Sequence, residues 1–395
     1  MPVASPCIGV CTVDDEQTCD GCYRTIDEIR RWSTASDDEK RAMLLAVASR
    51  TAVDQLSAQT IRSHIDSLCK PPGSLGEFER LAFELCRIQN SLTPRTQPRR
   101  VIVFAADHGV AARGVTAWPS EVTAKVVSIM ASRRSASGVL AQASGTDFRV
   151  VDVGCLDRPI ASTALGESAT CLVSCPVANG TADLSVGPAM TRTQFSAAWR
   201  VGVTQADEAA NDGIHVVAAG EMGIGNTTSA ACLASLLCDM PIALAVGRGA
   251  GVDDQGFALK QAVVAKASQR AHSLLQKEDW KGVACEVGGF EIIAMAAFYV
   301  RAAARGLTIV LDGYIATAAA LLAEKLFPGT AKSMIAAHRS SEPGHSQSLE
   351  SLGLAPFLDW NLRLGEATGA LLLMPMLDAA AAIVTQMAKI DDVAS

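Results

Sequence analysis

The chain contains four short, mainly apolar runs at residues 101–106, 148–153, 214–219 and 307–311, and helix-forming sequence follows each of them. Runs of this kind, without regular polar alternation, are typical of strands buried on both faces, and such strands occur mainly in parallel sheets covered by helices. The sequence therefore predicts an α/β fold built around a mainly parallel sheet.

Acidic and glycine-rich segments follow these runs. Asp107 and His108 come directly after the first run, Gly220 and Glu221 after the third, and Asp312 after the fourth. In parallel α/β sheets, ligands bind beyond the carboxyl ends of the strands. We therefore expect these side chains to meet at one ligand site on that edge of the sheet.

Length and charge limit the partners that the chain can have. It has 395 residues, enough for two or three domains, and a formal net charge of -7. Because no dense block of Lys and Arg is present, a nucleic-acid partner is not expected, and an anionic small molecule would have to be held by local donors.

The ends of the chain give no sign of export or of membrane insertion. The N-terminus lacks the basic and apolar regions of a secretory signal. The apolar stretch 370–384 is interrupted by Pro375 and Asp378, which favours a buried helix pair over a membrane span. A cytoplasmic location is expected.

Cysteines are concentrated at the N-terminus. Four of the 12 lie within the first 22 residues, at Cys7, Cys11, Cys19 and Cys22. Without an export signal, disulfides are not expected. Four soft thiolates at this spacing suit Zn²⁺ or an iron–sulfur centre, which would also staple a segment too short for a core of its own. Four free thiols in a disordered tail are the alternative.

A domain boundary is expected after this cysteine-rich module. Ser36 and Glu39 form a capping-box pattern, which predicts a helix from there to residue 50. The module is therefore placed at residues 1–50, and a second domain at residues 51–395.

A glycine-rich segment follows the third predicted strand and precedes a helix predicted at residues 229–237. Glycines allow a backbone to approach an anion closely, and a helix N-terminus presents free N–H groups. The segment is therefore a candidate phosphate loop, with Thr227 or Thr228 as a possible helix cap; an ordinary strand-to-helix turn is the alternative. Its candidate binding residues are Gly220, Met222, Gly223, Ile224, Gly225, Asn226 and Thr227.

A second glycine-rich segment, residues 246–254, offers Arg248 and Gly249 as further phosphate ligands, with Lys260 downstream. Both cations are candidate counter-charges. A surface loop with solvated charges explains the pattern equally well.

Two later segments carry further polar groups. In residues 338–345, Ser340 and Glu342 lie between two histidines whose spacing matches no common helical pair of metal ligands, which favours a polar active-site loop. In residues 362–369, Glu366 lies close to Leu364 and between apolar stretches. Burial would raise the pKa of this carboxyl and suit it to proton transfer, although a glutamate that only complements a helix N-terminus fits the local sequence slightly better.

These segments occur together, and in this order, in one known family. From about residue 61 to residue 388 the chain resembles the nicotinate-nucleotide:dimethylbenzimidazole phosphoribosyltransferases, which attach the lower ligand of cobalamin. The most specific match is Gly-Glu-Met-Gly-Ile-Gly-Asn-Thr-Thr at residues 220–228. The other matching stretches are residues 70–76, 106–110, 114–116, 118–119, 121–123, 288–292, 312–315, 338–340, 342–345 and 363–366.

The resemblance implies a parallel α/β sheet with a smaller helical subdomain, a homodimer, and a transfer reaction that needs no cofactor. It also implies that Glu366 is the general base and that Glu221 lies in the same site. Ala367 and Ala250 depart from the residues usual in the family, and so does the segment 132–138, which in the family lies near the base pocket. The resemblance therefore leaves the accepted base open.

The N-terminal segment resembles a different family, a group of uncharacterised bacterial cysteine proteins often named as iron–sulfur proteins. The resemblance rests on the four cysteines, Arg24, Thr25, residues 27–29 and Trp32. It does not settle which metal would bind.

Two other classes of function compete with a transferase. One is a metal-dependent hydrolase built on Asp107, His108, His338 and His345. The other is a sensor that binds a nucleotide without turnover, in which the cysteine module responds to nucleotide binding.

Overall fold

The structure is a computed structural model that describes residues 21–50, 56–159 and 171–393, together with residues 3, 5–7, 13 and 17–19. It divides into two compact units, Met1–Thr60 and Ile61–Ser395. In the N-terminal unit, α1 (Ile26–Arg31) begins with a capping box between Thr25 and Glu28. The predicted helix α2 (Asp37–Arg50) is confirmed, and Ser36 and Glu39 make the expected reciprocal hydrogen bonds.

Six parallel strands form the central sheet of the larger unit, in the order β3-β2-β1-β4-β5-β6. A separate two-stranded parallel sheet pairs β7 with β8. The strands are β1 (Arg99–Ala106), β2 (Asp147–Gly154), β3 (Leu172–Ser174), β4 (Val216–Met222), β5 (Thr308–Leu311), β6 (Met334–Ala336), β7 (His338–Ser340) and β8 (Leu358–Leu362).

Helices cover the sheet, and one of them, α12, is almost entirely buried. Short 3₁₀ turns lie at Gly109–Arg113, Thr330–Ser333 and Ile390–Asp392. The helices after α2 are α3 (Ala58–Asp66), α4 (Glu77–Gln89), α5 (Glu121–Ala131), α6 (Ala136–Ala143), α7 (Arg192–Asn211), α8 (Asn226–Leu237), α9 (Ile242–Ala245), α10 (Asp254–Leu275), α11 (Trp280–Val287), α12 (Phe290–Ala304), α13 (Tyr314–Leu326), α14 (His345–Ser351) and α15 (Thr368–Gln386).

The predicted parallel α/β architecture is confirmed, and the four apolar runs form β1, β2, β4 and β5. Two boundaries next to the glycine-rich segment differ from the prediction. Strand β4 continues through Gly220 and Glu221 to Met222, because these residues pair with β1 instead of leaving the sheet. Helix α8 begins at Asn226, three residues before its predicted start.

The apolar stretch near the C-terminus is one helix, and the predicted helix pair is wrong. Helix α15 continues through Pro375. By length and composition α15 is the one described helix that could cross a membrane, but 56% of its most apolar 18-residue window is buried inside the protein. Its apolar residues are therefore accounted for by packing within the fold.

Candidate functional site

A cavity of about 700 Å³ opens at the carboxyl ends of β4 and β5, where the pattern of the strands places a ligand site. Twelve of the predicted site residues line it. They are Glu221, Met222, Gly223, Ile224, Asn226, Thr227, Gly249, Asp312, Ser340, Glu342, Leu364 and Glu366.

Glu366 lies two residues before the start of α15, and its side chain is buried at the cavity wall. Its φ of 61° places it in the left-handed region, between Gly365 and Ala367, which share that conformation. Ser137 donates a hydrogen bond of 3.2 Å to the Oε2 atom of Glu366. Burial, helped by the nearby carboxylate of Asp312, raises the pKa of Glu366, whereas the Ser137 bond lowers it. A carboxylate whose pKa is raised is a stronger base than an exposed one and can accept a proton from a bound substrate.

Glu221, at the end of β4, is the second carboxyl of the wall. Asn226 donates a short hydrogen bond to its Oε2 atom. Burial, followed by the charges of Glu291 and Asp312, raises the pKa of Glu221 to about 8. Glu221 is therefore largely protonated at neutral pH in the ligand-free protein, so it can donate a hydrogen bond as well as accept one.

Asp312, at the end of β5, is held by the start of α15. The backbone N–H of Ala370 donates a hydrogen bond of 3.0 Å to Asp312 Oδ1, and His338 Nε2 lies 3.8 Å from the same oxygen. Burial raises the pKa of Asp312, and the neighbouring His338 lowers it. Asp312 thus fixes β5 relative to the segment that carries Glu366.

Thr227 lines the cavity, and Lys260 contacts Thr227. The Lys260 ammonium donates hydrogen bonds of 2.9 Å to Thr227 Oγ1 and to the carbonyl of Gly247. Burial lowers the pKa of Lys260 to about 8, although the Glu342 carboxyl acts in the opposite direction. Lys260 itself lies behind the cavity wall, so its charge reaches a ligand through Thr227.

Glu342 lies beside this pair. Its Oε1 atom accepts a hydrogen bond of 3.1 Å from the backbone N–H of Gly249. Its Oε2 atom is buried and has no hydrogen-bond partner within the described part of the chain. A buried acceptor of this kind, on a residue that lines the cavity, is free to bind a ligand hydroxyl group that reaches it.

Asp107 and His108 support the glycine loop from behind and do not line the cavity. Asp107 accepts a hydrogen bond of 2.6 Å from Thr123, whose oxygen in turn accepts one of 3.1 Å from the backbone N–H of Ile224. His108 Nε2 lies 2.6 Å from Glu291 Oε1, and both side chains are fully buried. These residues therefore fix the position of the loop.

Three other predicted residues of the glycine segments also do not line the cavity. Gly220 lies within β4, and Gly225, not Thr227 or Thr228, is the N-cap of α8, so the prediction of a threonine cap is wrong. Gly225 has a φ of 96°, which a threonine rarely adopts. The Arg248 side chain is half exposed and pairs with Asp254, so the structure does not bring it to the cavity.

His345 has no ring nitrogen left for a metal. Its Nε2 atom lies 2.9 Å from Thr317 Oγ1, and its Nδ1 atom accepts a hydrogen bond of 2.8 Å from the backbone N–H of Ser340. Burial, together with His338 and Arg339, lowers the pKa of His345 to about 3. His345 is thus a neutral residue that orients the loop, which argues against the metal-hydrolase alternative.

The sequence predictions missed much of the apolar wall. Trp118, Val122 and Val126 line the cavity from α5 and the turn before it. The spacing of four residues between Val122 and Val126 was the available signal, because residues at that interval lie on one face of a helix. The other lining residues, which were not among the predicted substrate-binding residues, are Ala250, Gly251, Gly313, Tyr314, Ile315, Ala316, His338, Asn361, Leu362, Arg363 and Gly365.

In the N-terminal unit, an antiparallel bridge between Thr18 and Thr25 closes a tight turn that carries Cys19 and Cys22. Both thiols are buried, whereas Cys7 is exposed. Cys11 lies outside the described residues. No group of three or more potential metal ligands occurs among the residues that the structure describes.

The turn also holds a buried arginine. Arg24 Nε donates a hydrogen bond of 3.3 Å to the Sγ atom of Cys22, and the guanidinium lies 4.6 Å from the centre of the Trp32 ring. The turn therefore brings together two thiols and one N–H donor to sulfur.

Two family models match the chain. The model described as phosphoribosyltransferase matches residues 51–394. The model described as protein of unknown function (DUF1289) matches residues 5–51.

Curated relatives and solved structures agree with the first match. Proteins named nicotinate-nucleotide--dimethylbenzimidazole phosphoribosyltransferase include one from Roseiflexus sp. (strain RS-1), 42% identical over 85% of this chain and 93% of the relative. Another, from Cupriavidus necator, is 40% identical over 86% of this chain and 95% of the relative. The crystal structure of CobT from Thermus thermophilus matches with a TM-score of 0.80 and 41% identity, covering 85% of this chain and 98% of that one. The chain therefore belongs to the nicotinate-nucleotide--dimethylbenzimidazole phosphoribosyltransferase family, and its larger unit has the fold of that family.

Proposed function

We propose that this protein transfers the phosphoribosyl group of nicotinate mononucleotide to 5,6-dimethylbenzimidazole. The products are α-ribazole 5′-phosphate and nicotinate, and the step contributes to assembly of the nucleotide loop of cobalamin. The observation that carries the proposal is the buried Glu366 carboxyl on the cavity wall, with a raised pKa, in a chain about 40% identical to enzymes of this name.

The chemistry needs one base. Nicotinate leaves with a neutral ring nitrogen, because the nucleotide carries a pyridinium, so no general acid is required. The attacking nitrogen of the benzimidazole bonds to the ribose C1′ atom on the face opposite the leaving group, which converts a β-nucleotide into an α-riboside. The other ring nitrogen then loses its proton to Glu366. Orientation of the two substrates in the cavity supplies much of the rate.

Thr227 and Lys260 are suited to bind the phosphate. Thr227 lines the cavity at the start of α8, where backbone N–H groups favour an anion. The buried Lys260 ammonium lies directly behind it. The unpartnered Oε2 atom of Glu342, beside this pair, would accept a ribose hydroxyl.

The remaining wall is suited to two flat rings. Trp118, Val126, Met222 and Leu364 supply an apolar surface for the benzimidazole. Glu221, largely protonated in the free protein, is placed to donate a hydrogen bond to a substrate. In this proposal Asp107, His108, Gly220 and Gly225 act by holding the wall, and Gly223, Ile224, Asn226, Gly249, Asp312 and Ser340 by forming it.

The decisive assay incubates the purified protein with nicotinate mononucleotide and 5,6-dimethylbenzimidazole and measures the nicotinate released. Release that depends on both substrates and persists in the presence of a chelator is the expected result. Binding of the nucleotide without release would favour the non-catalytic sensor, and activity lost to the chelator would favour metal-dependent chemistry.

The N-terminal module, which we place at residues 1–50, is proposed to bind one metal centre, either Zn²⁺ or iron–sulfur, through Cys7, Cys11, Cys19 and Cys22. The buried Cys19–Cys22 turn supplies half of a ligand set, and Arg24 offers a donor to a sulfur that would be negatively charged. Metal binding and folding of such short modules are coupled, so metal would draw the exposed Cys7 to the pair. Elemental analysis and an absorption spectrum, compared with those of Cys19→Ser, test this directly.

Two further properties belong to the proposal. The protein is expected to be a homodimer that acts in the cytoplasm on small molecules, as an enzyme of cofactor biosynthesis would. Light scattering coupled to size-exclusion chromatography measures the first property. Cell fractionation measures the second.

A further inference from the structure

Two serines form a series of hydrogen bonds that ends on the carboxylate of Glu366. Ser137, in the first turn of α6, donates its hydrogen bond of 3.2 Å to Glu366 Oε2. Its hydroxyl lies 2.9 Å from that of Ser135, the N-cap of α6, and Ser135 Oγ accepts a hydrogen bond of 3.1 Å from the backbone N–H of Gly138. Ser137 is fully buried and Ser135 is 8% exposed, so water does not compete for these bonds.

The donor and acceptor in each hydrogen bond of this series follow from the number of hydroxyl protons available. An ionised carboxylate only accepts, so the single proton of the Ser137 hydroxyl points to Glu366. The oxygen of Ser137 must then accept the proton of Ser135, whose own oxygen is already occupied by the Gly138 N–H. The order Gly138, Ser135, Ser137, Glu366 is thus a one-way series of donors that ends on the carboxylate.

The backbone turn before α6 fixes the positions of the two serines. Arg133, with a φ of 55°, turns the chain into α6. A side chain at Gly138 would lie 2.7 Å from the backbone of Arg133, so only glycine allows the turn to close at this distance. Both serines are therefore held by the turn before α6 and not by a flexible loop.

The other titratable groups near Glu366 do not stabilise its ionised form. Asp312, from the end of β5, and Glu221, from the end of β4, are both carboxyls. Among the described side chains, Ser137 is the one that hydrogen-bonds Glu366. Glu366 itself has a left-handed backbone, an unusual conformation for a residue with a side chain.

We infer that Ser137, supported by Ser135, is a positioning residue for the general base: it holds one oxygen of Glu366 and favours the ionised form, which leaves the other oxygen free to take the proton of the attacking base. The inference rests on the proposed function, because Ser137 can affect the reaction only if Glu366 is its general base. Ser137 touches no substrate, since it does not line the cavity.

The test compares Ser137→Ala with Ser137→Thr, which keeps a hydroxyl, and with Ser132→Ala as a control. Ser132 lies five residues away and hydrogen-bonds only its own helix end, at Ile129. Because a hydrogen bond to a charged group stabilises it by a factor of about 10 to 100, the acidic limb of the kcat/KM profile should move up by roughly one to two pH units in Ser137→Ala. The KM for the nucleotide should stay unchanged, and Ser137→Thr should restore the limb.

An activity-independent measurement separates this inference from the proposed function. The infrared carboxyl band assigned to Glu366 by difference from Glu366→Gln can be titrated without substrate, and its midpoint should rise in Ser137→Ala. This readout applies even if the wild-type protein releases no nicotinate. That outcome would contradict the proposed function but not the role of Ser137. An unchanged midpoint would overturn the role of Ser137. So would a shift that Ser137→Thr fails to reverse, because it would assign the effect to packing.

Discussion

Gly365 and Glu221 are in such close contact that a methyl group at residue 365 would overlap the Oε1 atom of Glu221. The two residues belong to the segments before α15 and at the end of β4, and both line the cavity. Glycine at 365 thus sets the distance between the two carboxyls of the site.

We therefore expect Gly365→Ala to displace Glu221 or the backbone before Glu366, and to lower kcat by at least roughly tenfold, since small misplacements of catalytic groups are costly. The matched control is Gly353→Ala. Gly353 also has a positive φ, 69°, but open space around it. Both variants carry the backbone strain, so equal losses of activity in the two would attribute the effect to strain and not to Glu221.

Glu366→Gln should retain the fold and nucleotide binding but lose turnover by about two to four orders of magnitude, the usual contribution of a general base. The amide keeps the size of the side chain and can still accept from Ser137, but it cannot take a proton near neutral pH. Steady-state kinetics and a nucleotide-binding isotherm measure the two effects separately. The exposed Glu350→Gln is the control, and near wild-type turnover in Glu366→Gln would remove Glu366 from the mechanism.

Nucleotide affinity should fall as the pH rises through about 8, because the buried Lys260 then loses its proton and its charge. Lys260→Met should lower kcat/KM by roughly 10- to 100-fold at neutral pH, the usual worth of a hydrogen bond to a charged group, and should flatten this alkaline fall. Lys266→Met, exposed on the same helix α10, is the control. A Lys260→Met profile with the alkaline fall intact would assign that fall to another group.

Substitution of the loop glycines, in contrast, does not isolate phosphate binding. A side chain at Gly223 would overlap the carbonyl oxygen of Ala106 in β1. Gly223→Val is therefore expected to disturb the loop itself, and Thr227→Val is the better probe of a raised KM for the nucleotide.

Glu221 should make the protein less stable as the pH rises. Its carboxyl ionises near 4.5 when unfolded but at about 8 when folded, so the folded state binds more protons between these values. The free energy of unfolding of the wild type, relative to Glu221→Gln, should thus fall by roughly 3 kcal/mol from pH 5 to pH 8. Denaturant unfolding at several pH values measures this difference, and a flat or rising difference would show that Glu221 titrates normally.

The sequence predicted the architecture because strands buried on both faces leave continuous apolar runs, as β1 does. It predicted Glu366 less directly. The local pattern favoured a helix-start residue, and only the resemblance assigned a base, because the neighbours of Glu366 come from elements as distant as Ser137 and Asp312.

Lys260 and Arg248 show that local sequence cannot distinguish a buried cation at the site from a cation at the surface. Both are single cations near glycines, yet one is buried behind Thr227 and the other pairs with Asp254 at the surface. Helical periodicity was the usable signal. Lys260 falls among the buried positions of α10, with Gly256 and Val264 on either side at intervals of four residues. The apolar wall from α5 left a similar signal, but which site α5 faces depends on tertiary packing.

Deletion of residues 1–50 should remove bound metal and leave the transfer reaction intact. Residues Ile61–Ser395 form a compact unit, and every residue that lines the cavity belongs to it. A thiolate centre with four protein ligands is a closed structural site with no position for a substrate. The truncated protein should therefore match the full chain in kcat, KM and thermal midpoint, whereas Cys19→Ser in the full chain should lose metal but keep activity. A truncated protein that is folded but inactive would instead show that the module supports the active site, and a full-length protein purified anaerobically without metal would defeat the metal proposal.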